Sequence, residues 1–316
     1  MIRMEKSNNL RSSVYLSLTA IIWGVAFVFQ SMGNDSMEPF TFTSSRYFLG
    51  FLVLLPILIV KYHFPRFLAD SDEIPLKRIP TRFTLIGGIL CGLALGTATM
   101  FQQYGLKYTS VGKAGFITTL YIILTPILGL FLRRRCHFTV WIGAFAAMCG
   151  MYLLCIKDGF YIEFGDLLIF ICAVFFSVHI MIIDFFAPKT NGVLLSCIQF
   201  LVSAVICGIL ALFFEQPSFD QLKNGLVHIL YTGIMSSGVA YTMQILGQRN
   251  FNPTIAAMIM SFESVISAVA GYFAWQWGFL TGDQSLSVLQ VLGCVIVFSA
   301  VIFVQLPFDK LKRNRH

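Results

Sequence analysis

Residues 250–282 read NFNPTIAAMIMSFESVISAVAGYFAWQWGFLTG, and only one of them, Glu263, carries a charge. A helix needs about 20 apolar residues to cross roughly 30 Å of hydrocarbon, and this stretch supplies them with room for turns at both ends. Working outward, runs free of charge cover 12–34, 83–106, 114–132, 136–156, 167–183, 190–214, 224–248 and 284–308, and residues 39–60 form one more that only Arg46 interrupts. Short polar turns separate the runs and leave no room for a water-soluble domain. Composition points the same way. Of 316 residues, 57% are hydrophobic and 12% charged, with a mean hydropathy of +0.79, whereas soluble domains carry about 25% charge. Disorder requires the opposite composition. The expected fold is an all-α membrane protein of ten transmembrane helices.

The first run follows Arg3, Lys6 and Arg11, yet it is longer than the 7–15-residue apolar core of a cleavable signal peptide, so it reads as a retained span. With the N-terminus inside, seventeen of the 22 basic residues fall in inner segments, Arg133-Arg134-Arg135 among them. Only Lys107, Lys113, Lys157 and Lys223 fall outside, and Arg46 lies within its span. Because Lys and Arg concentrate on the cytoplasmic side, both termini are expected in the cytoplasm, at a bacterial plasma (inner) membrane. The formal charge of +7 sits in these loops and tails, so no nucleic-acid partner is expected. The eight cysteines, Cys136 at a run's edge and the rest inside runs, form no CxxC pair. Neither a disulfide framework nor a metal site is indicated.

A shift of 142 residues lays Gln102 on Gln244, Gly105 on Gly247 and Tyr121 on Glu263, and a shift of about 153 lays Arg46 on Gln199. The predicted halves are 1–157 and 158–316. Five crossings in each half force the second copy to insert upside down, and inverted repeats with a site at their interface are a recurring plan of secondary transporters. The stretches LTAIIWGVAFV (18–28), PFTFTSSRYFLGFLVLL (39–55) and YGLKYTSVGKAGFITTLYIILTPILGLFL (104–132), set in this ten-span pattern, resemble the drug/metabolite transporter superfamily, EamA type, over essentially the whole chain. The second half departs in carrying Glu263-Ser264 where such proteins often show Glu-Pro, and Phe175-Phe176 where the first half has Trp23-Gly24. The resemblance implies a secondary transporter rather than an enzyme, a monomer or homodimer without cofactor. It would move a small organic metabolite (amino acid, nucleobase, vitamin or amine) by alternating access, with protons as a candidate coupling partner. With no Walker A motif, ATP is not expected to drive it directly; the rival is an intramembrane enzyme acting on a lipid-linked substrate, but the chain has neither an HExxH motif nor paired acids within one span.

Pro253 suits a first helical turn, and ten residues at about 1.5 Å each put Glu263 roughly 15 Å deep, near the midplane. A charge there costs at least about 2.5–3.5 kcal/mol, so the side chain must face protein or water. It is either a proton-coupling or cation-binding carboxyl, or a protonated acid bonded to a neighbouring helix. His179, also mid-span, is the second coupling candidate by virtue of its chemistry, unless it is only a hydrogen-bonding core residue. Arg46 is expected to hold its span to neighbouring helices; attracting an anionic group or pairing with Glu263 are its alternatives. Trp23, Gln102, Tyr121, His179, Gln199, Tyr241, Gln244 and Glu263 form the candidate substrate site, a mainly aromatic cavity with a few polar groups. Taken singly, the neutral polar residues, Gln103 and Tyr104 included, read equally well as interhelical bonds. Gly88, Gly92 and Gly96, four residues apart, are structural, allowing close helix approach. No catalytic or metal-ligating residue is expected.

Overall fold

The structure is a computed structural model that describes residues 2–64, 76, 81–131, 138–155, 163–249, 251–281 and 284–305. Among the basic residues and cysteines, Arg66, Lys77, Arg78, Arg133 to Arg135, Cys136, Lys157 and the basic residues from Lys310 lie outside the described residues, as does the boundary between the predicted halves.

The described chain is helical, without strands. Its elements are α1 (Ile2–Ser36), α2 (Pro39–His63), α3 (Thr81–Gly105), α4 (Val111–Thr118), α5 (Tyr121–Phe131), α6 (Phe138–Cys155) and α7 (Phe164–Phe186), then α8 (Gly192–Phe214), a short α9 (Phe219–Asn224) and α10 (Leu226–Leu230). A π-helix (Tyr231–Tyr241) follows, then α11 (Thr242–Gln248), α12 (Pro253–Met260), α13 (Glu263–Gln276) and α14 (Val288–Gln305). Among the described residues, seven segments are long and apolar enough to cross a membrane: α1 from Leu10, α2, α3, α4 with α5, α7 with its following turn, α8, and α12 with α13. The other three runs are helical but shorter or interrupted. Helices α6 and α14 have 18 residues each, about 27 Å at 1.5 Å per residue, and the third is split by the π-helix.

Two of the sequence runs break in the middle. The α4–α5 break falls at Thr119-Leu120 and the α12–α13 break at Ser261-Phe262, the same register shift of 142 that relates Tyr121 to Glu263. Neither break carries glycine or proline. Instead the backbone tightens locally: Leu120 N–H donates to Ile117 C=O (3.2 Å) and Phe262 N–H to Ile259 C=O (3.3 Å), bonds three residues long rather than four. Thr119 Oγ1 donates back to Phe116 C=O (2.8 Å), and Ser261 Oγ does the same to Met258 C=O (2.7 Å). Such back-bonding competes with the regular ladder.

Helix pairing has a matching regularity. Helix α3 packs on α7 and α8; α1 packs on α13, the π-helix and α11; α2 packs on α8 and the π-helix; and α6 packs on α14. Exchanging each run with the one five places along maps this pattern onto itself. The α3–α7 pair becomes the contact of α1 with the π-helix and α11, α3–α8 becomes the π-helix with α2, and α1–α13 becomes α7 with α4 and α5.

Glycine sets the closest approaches. A Cβ at Gly92 would lie 2.6 Å from Val202 Cβ and 2.7 Å from the Gln199 carbonyl, one at Gly88 would meet Ile198, and one at Gly96 would come within 3.5 Å of Ser203. The Gly88–Gly92–Gly96 stripe therefore seats α3 on α8, and Ser203 Oγ donates to Gly92 C=O (2.9 Å) across that seam. The exterior is apolar: Phe48 and Leu52 on α2, Phe145 on α6, Leu212 and Phe213 on α8 and Val295 on α14 are all exposed. With backbone bonds closed within helices or by caps such as Glu215 on α2, that surface suits hydrocarbon as solvent.

Candidate functional site

At the centre of the bundle, Trp23, Phe27, Gln102, Tyr121, Tyr241 and Glu263 line one enclosed space together with Gln30, Arg46, Thr118, Phe176 and Ser236. Its volume is about 20 Å³, room for about one water and far below the 300–1,000 Å³ of organic-ligand pockets. The site is closed in this conformation.

Local backbone irregularity puts the key groups there. The α4–α5 and α12–α13 breaks deliver Tyr121 and Glu263 as the first residues of their second halves, and Tyr121 Oη donates to Glu263 Oε1 at 3.0 Å. Both side chains are buried. Gly24 lets α1 lie against α13 at this level: a Cβ there would fall 2.9 Å from the Glu263 carbonyl. On the facing side, the π-helix turns backbone carbonyls toward α1. Thr19 Oγ1 donates to Ala240 C=O (3.0 Å) and Trp23 Nε1 to Ser236 C=O (3.4 Å), while the Trp23 and Tyr241 rings sit 4.5 Å apart between centroids. Gln102 Nε2 donates to Thr118 Oγ1 at 3.3 Å.

Five of the eight candidate substrate residues, Trp23, Gln102, Tyr121, Tyr241 and Glu263, thus converge on the cavity. Three stand outside its wall. His179 and Gln199 are fully buried and bond each other, Nε2 to Oε1 at 3.1 Å, with the His179 ring edge-on to Tyr241 at 6.1 Å. Gln244 is buried on α11, its Oε1 without a hydrogen-bond partner among the described residues. Arg46, expected as a helix tie, lines the cavity. It makes no ion pair with Glu263.

Polar closures flank the cavity at both ends of the bundle. At the end bearing Lys107, the fully buried Gln103 donates from Nε2 to Gln30 C=O and to Asn34 Oδ1, both at 2.8 Å, and Asn34 Nδ2 returns a bond to Gln103 C=O (3.1 Å). Lys107 pairs with Glu38 and Lys113 with Asp166, each at 2.6 Å. At the opposite end, Gln248 Nε2 donates to Ile180 C=O at 2.8 Å, and Arg249 Nη2 to Thr190 C=O at 3.3 Å. One closure ties α3 to α1 and the other ties α11 to α7, helices that exchange under the five-run mapping. Sequence reading grouped Gln103 with the neutral polar set and did not single out Gln248.

A second, larger cavity of about 880 Å³ opens among the ends of α2, α3, α7 and α8 nearest Lys107, walled by Phe40, Phe101, Tyr104, Phe164 and Phe214. Glu215 on its rim accepts from Phe40 N–H (2.8 Å), Thr41 N–H (2.7 Å) and Thr41 Oγ1 (2.6 Å), capping α2 from across the bundle. No sequence signal marked this cavity, since its walls come from four separate runs.

The comparisons with known proteins agree with this architecture. Across 308 aligned residues the chain is 29% identical to an uncharacterized transporter of Archaeoglobus fulgidus, covering 96% of this chain and 88% of the relative. It is 19% identical over 299 residues to the uncharacterized transporter YoaV of Bacillus subtilis, covering 92% and 96%. A solved crystal structure superposes with a TM-score of 0.71 at 18% identity, over 97% of this chain and 99% of that one, and shares the fold. The EamA-like transporter family matches twice, over residues 10–156 and 163–306. The chain is a multi-pass integral membrane protein and belongs to the EamA-like transporter family.

Proposed function

We propose that this protein is a secondary transporter whose two inverted five-helix halves, residues 1–157 and 158–316, alternate access to the central cavity for a small organic metabolite. Both termini lie in the cytoplasm, at a bacterial inner membrane, and Glu263 couples movement to protons. The observation that carries the reading is the Tyr121–Glu263 hydrogen bond, which joins the halves at register-matched helix breaks beside the closed cavity. The glutamine closures support the cycle: a site sealed at both ends is what an intermediate between outward-open and inward-open states requires, and each seal consists of a few hydrogen bonds that can break in turn. Trp23, Gln102, Tyr121 and Tyr241 contact the substrate. His179 and Gln199 lie one ring away, where a second protonatable group would act through Tyr241. No observation favours the intramembrane-enzyme alternative.

A buried carboxyl prefers its neutral form in a dry setting and its charged form near water or a cation. A Glu263 that alternates between such settings therefore takes up and releases protons during the cycle. The test is Glu263→Gln in proteoliposomes with and without an imposed pH gradient. Coupling predicts that exchange of substrate persists while gradient-driven accumulation is lost. Unchanged gradient dependence in a folded variant refutes it.

A further inference from the structure

Resting on the central site as the transport site, we propose that Arg46 is its anion-binding residue, and that the transported molecule carries a carboxylate. Arg46 is 1% exposed, inside a helix that crosses the bilayer, where an ionised side chain must be compensated by protein, water or ligand. The protein compensates it poorly. Its Nη2 donates to Tyr47 Oη at 3.3 Å and its guanidinium carbon lies 4.8 Å above the Tyr47 ring. Its Nε has no hydrogen-bond partner among the described residues. An arginine that served only to tie helices would direct its donors to carbonyls or an acid on a neighbouring run; among the described residues this one does neither, and its adjacent residue is its sole hydrogen-bond partner. The described ion pairs, Lys107–Glu38 and Lys113–Asp166, lie elsewhere. The one carboxyl in the same cavity, Glu263, is bonded to Tyr121 instead.

The ligand class follows from the shape and charge of what remains. A guanidinium presents parallel N–H donors that match the two oxygens of a carboxylate. With one cation in the wall, a monoanion balances the site, whereas a phosphate monoester would bring excess charge into a dry space. The remaining wall is aromatic: Trp23, Phe27, Tyr121, Phe176 and Tyr241. That combination fits an aryl or alkyl body with a carboxylate at one end. An unsubstituted amine would place its charge against Arg46.

The experiment uses the full-length protein in detergent and three size-matched probes: 3-phenylpropionate, 3-phenylpropylamine and phenyl phosphate. Binding is read by ligand-dependent thermal unfolding. A hydrogen-bonded charge pair gained or lost corresponds to roughly 10- to 100-fold in affinity, so 3-phenylpropionate should bind at least about 10-fold more tightly than the amine. Arg46→Gln should remove that preference, and Arg46→Lys, which keeps the charge without the fork, should retain part of it. Equal or stronger binding of the amine, stronger binding of phenyl phosphate, no stabilisation by the carboxylate, or a preference that survives in Arg46→Gln each overturns the proposal. The comparison of probes on the unmodified protein stands even if a variant fails to fold. Failure here leaves the pH-gradient response of Glu263→Gln untouched, so the two readings fall separately.

Discussion

Replacing Gln103 with leucine tests the closures directly, because leucine fills a similar volume and removes only the amide. The side chain gives up two hydrogen bonds, to Gln30 C=O and Asn34 Oδ1, while the Asn34 bond to the Gln103 backbone survives. At about 0.5–1.5 kcal/mol net for each bond, the closed end loses about 1–3 kcal/mol relative to a state in which those bonds are already broken. That is a shift of roughly 5- to 150-fold toward opening at the Lys107 end. Gln248→Leu removes one bond, to Ile180 C=O, and should shift opening at the other end by roughly 2- to 13-fold. The assay is Ser236→Cys, a cavity position, in a chain whose native cysteines are replaced by alanine. An impermeant maleimide is applied from either side of the membrane. Gln103→Leu should raise labelling from the face at the Lys107 end, proposed as the outer one, and Gln248→Leu from the opposite face. If both variants raise labelling from the same face, or neither changes it, the glutamines are not opposed closures and the reasoning fails.

Two further outcomes follow from packing. Gly92→Val should lower the melting temperature in detergent by the equivalent of about 1–3 kcal/mol, since its Cβ would meet both Val202 and the Gln199 backbone; a neutral effect would mean that the α3–α8 seam yields. Glu215→Ala should cost about 1–2 kcal/mol, read as a lower melting temperature, because Glu38 at the α2 N-cap makes no capping bond of its own and Glu215 supplies the acceptors.

The helical class and most run boundaries were legible because lipid imposes one rule, that backbone polar groups be satisfied within the segment. The start of α12 at Pro253 matched its sequence signal, with Asn252 accepting from Thr254 N–H at 2.9 Å as N-cap. The interruptions were not legible. At Thr119 and Ser261 hydroxyls return bonds to carbonyls three residues back, but Ser264 and Ser267 do the same inside the unbroken α13, so a hydroxyl residue alone marks no break. The π-helix carries Gly233 and Gly238, which no sequence signal singled out. Only the structure shows that a Cβ at Gly233 would meet Leu49 and the Arg46 carbonyl on α2. Hydropathy reports where a span lies and is blind to a register slip within it.

The same limit explains the site. Position along the span put His179 and Glu263 near one level, but depth leaves the azimuth of each helix free, so a residue at the right height can face the cavity or a neighbour. The 142-residue register gave Glu263 and Tyr121 each a partner, and the two bond beside the cavity, but the same register pairs Gln102 with Gln244, and only Gln102 reaches the wall. His179 had no such partner and turned to Gln199 instead. Arg46 illustrates the converse. Its nearest register match, Gln199, bonds His179 and so lies away from the cavity wall, while Arg46 stays on that wall without an acid. The halves are therefore alike in backbone and unlike in charge. In the proposed cycle, a guanidinium in one half and a carboxyl in the other would give the ligand and the proton separate handholds.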